Sequence, residues 1–256
     1  MRIPYLAACL CIALFFTLDL AAQKKEYYEI KVYHVASNEQ AQQVDQFLKN
    51  TYLPALHKAG VPKVGVYHHI DNDTAADKRI FLFLPLKSLE QMNDIEEIMV
   101  RDASLTADPY FTAAYNASPF TRIESIVLKS FPMMPKYETP SLTGNKTDRI
   151  YELRSYESAT EKLYRKKVEM FNAGGEVALF KRLRFNAVFY AEVLAGSHMP
   201  NLMYMTSFNN REERDAHWKA FGADPEWKKL SGLPEYEHTV AKADVMLLHP
   251  AEFSEL

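Results

Sequence analysis

Apolar and polar residues alternate in short runs along this chain, and longer stretches with helical spacing separate the runs. Glu29-Ile30-Lys31-Val32-Tyr33 alternates with period two, which predicts a strand. Val44, Phe47, Leu48, Tyr52 and Ala55 then share one helical face, and a capping box, Ser37…Gln40, marks where that helix starts. Strands are predicted over residues 64–70 and 80–84, a helix over 87–100, a short extra turn at Asp108-Pro109, and a closing strand over 123–129. The second half reads the same way. Its strands fall at 151–156, 187–194, 202–208 and 243–248. Its first helix, with a capping box at Ser158…Glu161, carries Tyr164, Val168 and Phe171 on one face, and its second covers 211–221.

The residues repeat as well as the pattern. Tyr28-Glu29-Ile30-Lys31-Val32-Tyr33 recurs as Tyr151-Glu152-Leu153-Arg154-Ser155-Tyr156, and Val66-Tyr67 recurs as Phe189-Tyr190. Asp108-Pro109 matches Asp224-Pro225, and Val127-Leu128…Phe131-Pro132 matches Val245-Met246…His249-Pro250. Each match is weak by itself, but their common order predicts a duplication. The order β-α-β-β-α-β is the split βαβ, ferredoxin-like arrangement. The expected fold is therefore α+β: two tandem ferredoxin-like repeats forming a dimeric α/β-barrel-like pseudo-dimer. The expected boundaries are a signal peptide at 1–22, a divergent first repeat at 23–132, a linker at 133–148 rich in proline, and a second repeat at 149–256.

The N-terminus decides the compartment. Arg2, the apolar stretch 3–18 and the small residues Ala21-Ala22 before Gln23 read as an export signal. A periplasmic or secreted protein is expected. Leu6-Ala7-Ala8-Cys9 also spells a lipoprotein cleavage motif, so lipid anchoring through Cys9 is the alternative. Both cysteines, Cys9 and Cys11, fall in the signal, which leaves the mature chain without a disulfide or a thiol nucleophile. No transmembrane segment is predicted. With 48% hydrophobic and 25% charged residues the chain can bury a core, and a net charge of −3 gives no general attraction to nucleic acid. The basic run 162–167 reads as a solvated helix face, and no nucleic-acid partner is expected.

At the second half the residues resemble a known family. Tyr151-Glu152-Leu153-Arg154-Ser155-Tyr156, Asn201…Phe208, Arg211-Glu212-Glu213-Arg214 and Asp224-Pro225-Glu226-Trp227 are similar to the NIPSNAP family. The resemblance covers about 105 residues of the second half well. The first half keeps the Tyr-Glu opening and Asp-Pro but has Tyr110-Phe111 in place of the tryptophan turn. The resemblance implies a dimeric α/β-barrel fold, shared with antibiotic-biosynthesis monooxygenases, EthD-like proteins and haem-using chlorite dismutases. The chain departs from the family at Tyr204, where a histidine is frequent, and at 195–200, where a glycine-rich tail is frequent. The resemblance implies no established reaction.

Alternation places Ile30, Val32 and Leu153 against the helices. Their polar and aromatic neighbours should then face the space between the two sheets. The candidate ligand-binding residues are accordingly Glu152, Arg154, Tyr156, Tyr190, Glu192 and Tyr204, with Lys31, Tyr33, Tyr67 and His69 from the first half. Arg154 would hold an anionic or carbonyl group, Glu152 or Glu192 would act as base or as its partner, and the tyrosines would pack a planar ligand. The structural alternative pairs the charges across strands and lets the tyrosines fill space. His68 and His69 are adjacent on a strand and point to opposite faces, so no metal site is predicted, and no cofactor. The expected role is a small-molecule binding or scaffold module for a small apolar or aromatic ligand, in a homo-oligomer. A cofactor-independent oxygenase or isomerase and a structural oligomer with a filled barrel are the alternatives.

Overall fold

The computed structural model describes residues 25–256. The expected signal peptide and Cys9 lie outside the described residues. The first half runs β1 (Tyr27–Val35), α1 (Asn38–Phe47), a π-helical turn (Leu48–Tyr52), α2 (Leu53–Lys58), β2 (Gly65–His69), β3 (Lys78–Leu86), α3 (Leu89–Arg101), α4 (Ala103–Thr106) and β4 (Arg122–Ser130). The second runs β5 (Ile150–Glu157), α5 (Glu161–Phe171), α6 (Glu176–Arg182), β6 (Asn186–Ala195), β7 (Asn201–Phe208), α7 (Arg211–Ala223), α8 (Pro225–Ser231) and β8 (Lys242–Pro250).

The strands close into one eight-stranded antiparallel barrel in the order β1-β3-β2-β8-β5-β7-β6-β4. Each half supplies a continuous block, β4-β1-β3-β2 or β8-β5-β7-β6. The blocks join where β2 pairs β8, with His68 opposite His249, and where β4 pairs β6, with Lys129 opposite Glu192. Closure leaves no free sheet edge.

Local signals account for the helix starts. The Ser37 hydroxyl accepts from the Gln40 N–H at 3.2 Å, and the Gln40 side-chain oxygen accepts from the Ala36 N–H at 2.7 Å. In the second half the cap is Thr160 and not Ser158. Thr160 accepts from the Leu163 N–H at 3.2 Å, while Ser158 is buried and donates to the Thr239 carbonyl at 2.6 Å. The basic run at 162–167 is only partly a solvated face: Lys167 is buried and pairs with buried Glu176 at 2.9 Å. A buried ammonium survives there because its partner is ionic and close.

The side of the sheet that faces each way is the reverse of the expectation. Ile30, Val32 and Leu153 point into the barrel and pack with Phe83, Phe189 and Met205 in one apolar cluster. The other face of the sheet lies beneath the helices. There Tyr33 packs with Val44, Phe47 and Tyr52 in the first half, and Tyr190 and Tyr204 pack with Phe171 and Phe180 in the second. Both faces of these strands are buried, and in β7 every residue is. Period-two alternation separates two faces but cannot say which one meets the sister sheet when both are covered. Among the described residues no helix is long and apolar enough to cross a membrane.

Candidate functional site

The repeated strand motif puts equivalent residues at the same place in both halves: Glu29, Lys31 and Tyr33 on β1, and Glu152, Arg154 and Tyr156 on β5. All six face the helices, yet their surroundings differ. One position is closed and the other is open.

In the second half the Glu152 carboxylate is fully buried and saturated. It accepts from Arg154 Nε at 2.5 Å, from Arg214 Nε at 2.6 Å and Nη2 at 3.1 Å, and from the Trp218 indole N–H at 2.8 Å. Burial alone would push this carboxyl up. The Arg214 hydrogen bonds and the Arg154 and Arg214 charges overrule it and hold the group below the ordinary carboxylate range. Arg154 also donates to the Tyr156 hydroxyl at 2.9 Å, which meets the Tyr204 hydroxyl at 2.8 Å. The Trp218 ring lies 3.6 Å from the Arg154 guanidinium carbon. The indole fills the space in which a ligand would sit over Arg154, and Glu152, Arg154, Tyr156, Arg214 and Trp218 all have protein partners, while the buried Thr206 hydroxyl opposite Glu152 has none. Here the structural alternative holds: these charges pair with each other.

In the first half the same position opens into a cavity of about 480 Å³. Lys31, Tyr33 and Tyr52 line it, with Phe47, Tyr110 and Phe120 beside them, and its rim carries exposed Phe111 and Tyr115. The rings are ordered: Phe47 stacks on Tyr110 at 4.0 Å and on Tyr52 at 5.6 Å, and Tyr110 meets Tyr33 edge-on at 6.4 Å. The π-helical turn contributes Tyr52, whose hydroxyl accepts from Lys31 Nζ at 3.4 Å. Such wide turns recur at functional sites because they re-aim one side chain within a helix. Lys31 pairs with Glu96 at 2.8 Å at the rim.

Beside Lys31, Glu29 is buried and only half satisfied. Its Oε1 accepts from the Ser125 hydroxyl at 2.6 Å and lies 3.8 Å from Lys31 Nζ, while its Oε2 has no partner. Burial pushes the Glu29 carboxyl up; Lys31 and Ser125 pull it back only in part, and Glu96 adds to the rise. Burial would push the Lys31 ammonium down, but Glu29, Tyr33 and Glu96 hold it up. The difference between the halves has an identifiable source. Glu96 on α3 and Trp218 on α7 stand equally far past their N-caps, Ser88 and Asn210, and Met92 likewise replaces Arg214. The first half thus lacks both the indole that fills the space and the second guanidinium that would satisfy the carboxylate.

The raised carboxyl of Glu29 makes a stability prediction. A group with a folded pKa above its unfolded value costs stability once ionised, and the cost grows as pH rises from the unfolded pKa through the folded one. Lys31 keeps Glu96 as its partner when Glu29 is neutral. Glu29→Gln is therefore expected to leave stability at pH 7 equal to or above wild type, within about 1 kcal/mol, as read from urea unfolding. A clear loss at pH 7 would show that the carboxylate charge is stabilising there.

The other candidates separate. Tyr190 is buried against Phe171 and Phe180 with its hydroxyl unpartnered, and it lines a different cavity, of about 340 Å³, beside Phe185 and Lys181. Glu192 faces α5 and accepts from the Tyr164 hydroxyl at 3.2 Å. Tyr67 does face the barrel interior, where its ring lies 4.7 Å from that of Tyr151. His69 ends β2 with Nδ1 accepting from the Asp71 N–H at 3.2 Å, and burial and then Arg79 hold its pKa down. The ten candidates thus do not form one site. Lys31 and Tyr33 sit in the open cavity; Tyr52, Glu96 and Tyr110 also line it, Glu29 lies against Lys31, and none of these four was among the candidates. The shared motif pointed to Glu29; nothing in the apolar pattern distinguished Tyr52 from its helical neighbours. Among the described residues no group of three or more His, Cys, Asp or Glu could hold a metal ion.

The closed half is also the half with a family. Residues 151–255 match the NIPSNAP family model. The second half is a NIPSNAP domain. No protein of curated function matches the chain in sequence. In fold, the chain with its NIPSNAP domain is similar to a putative monooxygenase from Lactobacillus acidophilus NCFM. The two are 14% identical, covering 88% of this chain and 94% of that one, with a TM-score of 0.58. A putative monooxygenase from Fusobacterium nucleatum is 6% identical over 89% of this chain and 93% of its own, with a TM-score of 0.57. An anthrone oxidase-like protein is 9% identical over 90% and 93%, with a TM-score of 0.54. These likenesses establish the mixed α/β fold with its closed barrel and nothing about chemistry.

Proposed function

We propose that this protein binds a small planar aromatic molecule, polar at one end, in the cavity between the first-half sheet and its helices. One observation carries the reading. Two equivalent positions share a Glu-x-Lys/Arg-x-Tyr strand, and only the first-half one leaves a ring-lined space, with the lysine of the motif on its wall. A ligand would slot between aromatic faces while its polar end meets Lys31. The same reading takes the chain as two ferredoxin-like units in tandem, residues 23–132 and 149–256, in an exported protein. The identical order of strands and helices and the identical strand order of the two blocks support the tandem units, and the export signal read at 1–22 supports export.

The test uses the second half as a template. Glu96→Trp places an indole where Trp218 stands and should fill the cavity. With 1-naphthol as probe, followed by its fluorescence, wild type should bind and Glu96→Trp should bind at least about tenfold more weakly, a loss of roughly 1.4 kcal/mol. Equal binding by the two proteins, or none by wild type, sinks the proposal. Mass spectrometry of the freshly purified protein would show which molecule it carries.

A second reading, in which the bound molecule is turned over, is favoured by Glu29. A carboxyl raised by burial, with one oxygen unpartnered and the other 3.8 Å from the Lys31 ammonium, is suited to accept a proton. The fold neighbours described as putative monooxygenases make oxygenation of an acidic aromatic substrate, with dioxygen as the oxidant, the natural version to try. Glu29→Gln should then abolish turnover of the recovered ligand while 1-naphthol binding persists. If turnover survives the substitution, Glu29 is not the base.

A further inference from the structure

The barrel holds a second cavity, on the opposite side of β1 and independent of the first. At one mouth of the barrel the apolar filling stops short, leaving about 260 Å³ whose wall comes from both halves of the chain. Its floor includes Ile30, Leu153 and Met203. Above that floor stand Arg79 from β3, Asn201 from β7 and Ser155 from β5.

Two of these groups are incomplete within the protein. Asn201 is 2% exposed; its amide nitrogen donates to the Ser155 hydroxyl at 2.8 Å, and its amide oxygen has no partner. Turning the amide over would only exchange which end is unpaired, since a single hydroxyl cannot satisfy both. A buried amide left half-bonded is costly, and a polar ligand atom would relieve the cost. The charges around the mouth point to that ligand's sign. His34 is engaged by Asp77 at 2.8 Å and Glu124 at 3.3 Å, Glu124 by Arg122, Asp244 by Lys242 at 3.0 Å, and His198 by Glu157 at 3.0 Å. Among the described residues Arg79 is the charged group of this lining that has no ionic partner. Its backbone is clamped, with its N–H donating to the Asn72 side-chain oxygen at 2.8 Å and its carbonyl accepting from the Asn72 amide at 2.9 Å. The guanidinium carbon lies 5.8 Å from the Phe81 ring centre.

We infer that the barrel mouth is a binding site for a small organic carboxylate with a short apolar body. The body lies on Ile30, Leu153 and Met203, and the carboxylate takes the Arg79 guanidinium in a bidentate pair; Asn201, its amide turned so that the oxygen accepts from the Ser155 hydroxyl, donates the remaining hydrogen bond from its nitrogen. Lodged between strands of both halves, such a ligand would tie the two blocks of the barrel together.

Hexanoate is the probe, with hexylamine and 1-hexanol as controls of the same chain, read by methyl NMR of the protein labelled at methionine. Hexanoate should shift the Met203 and Met246 methyl signals saturably, and the amine and alcohol should bind at least tenfold more weakly. Arg79→Gln should weaken hexanoate at least tenfold, which is roughly 1.4 kcal/mol. Glu96→Trp, which fills the other cavity, should leave hexanoate affinity unchanged, so the failure of either site can be told from the failure of the other. Equal affinity for hexanoate and hexanol, unchanged binding in Arg79→Gln, or shifts confined to other methionines would each overturn the assignment.

Discussion

Glu152→Gln is expected to lose about 3–5 kcal/mol of stability, the usual cost of breaking a fully buried ion pair by removing one partner. The carboxylate is the common acceptor for Arg154, Arg214 and the Trp218 N–H, and it is wholly excluded from water. A neutral amide leaves two guanidinium groups facing one weak acceptor and an N–H₂ that repels them. For a chain of this size each kcal/mol moves Tm by roughly 2–4 °C, so a drop of about 6–20 °C should be seen in thermal unfolding. The sign with pH follows from the lowered carboxyl. Its contribution is complete above the unfolded pKa, near about 4.3, and is lost as pH falls through the lower folded value. The gap between wild type and Glu152→Gln should therefore narrow in acid. A loss below about 1 kcal/mol at pH 7 would put the network in the class of exposed pairs. The contrast with Glu29→Gln is the sharper test: the same substitution at equivalent positions should be neutral or favourable in one half and severe in the other.

Phe180→Ala should cost a similar amount, about 3–5 kcal/mol, for a different reason. Phe180 on α6 is 1% exposed and stands at the centre of the second helix-sheet layer. Its ring lies 4.8 Å from Phe221, 4.9 Å from Phe185, and 5.7–5.8 Å from Tyr190, Tyr204 and Trp218. Removing it opens a void that this many rigid rings cannot close by small shifts. Because Trp218 and Tyr204 also position the Glu152 network, the double variant with Glu152→Gln should fall short of the sum of the two losses. Urea unfolding of the single and double variants decides this, and strict additivity would mean that the layer and the ion network are independent.

Together these contrasts describe a chain in which one half is a finished core and the other retains space. The saturated carboxylate belongs to the half that matches NIPSNAP, and the open cavity to the half outside that match. The groups that close the second-half position, Trp218 and Arg214, have Glu96 and Met92 at the corresponding helix positions of the first half. Glu96 in place of an indole and Met92 in place of a guanidinium matter little to a scaffold and a great deal to a ligand.

The sequence by itself determined the element order, the helix start at Ser37 and the NIPSNAP resemblance of the second half, because these rest on local periodicity and short-range hydrogen bonds. It also singled out the motif Glu29-x-Lys31-x-Tyr33 and its partner Glu152-x-Arg154-x-Tyr156 as the polar face of the strands. Only the tertiary structure decided where that face points. A strand buried on both sides carries no label for inside and outside, so the motif that was expected between the sheets lies under the helices. The structure also decided which copy is open, since that depends on Trp218, Arg214 and Tyr52, residues brought from other helices across gaps that no period in the sequence records.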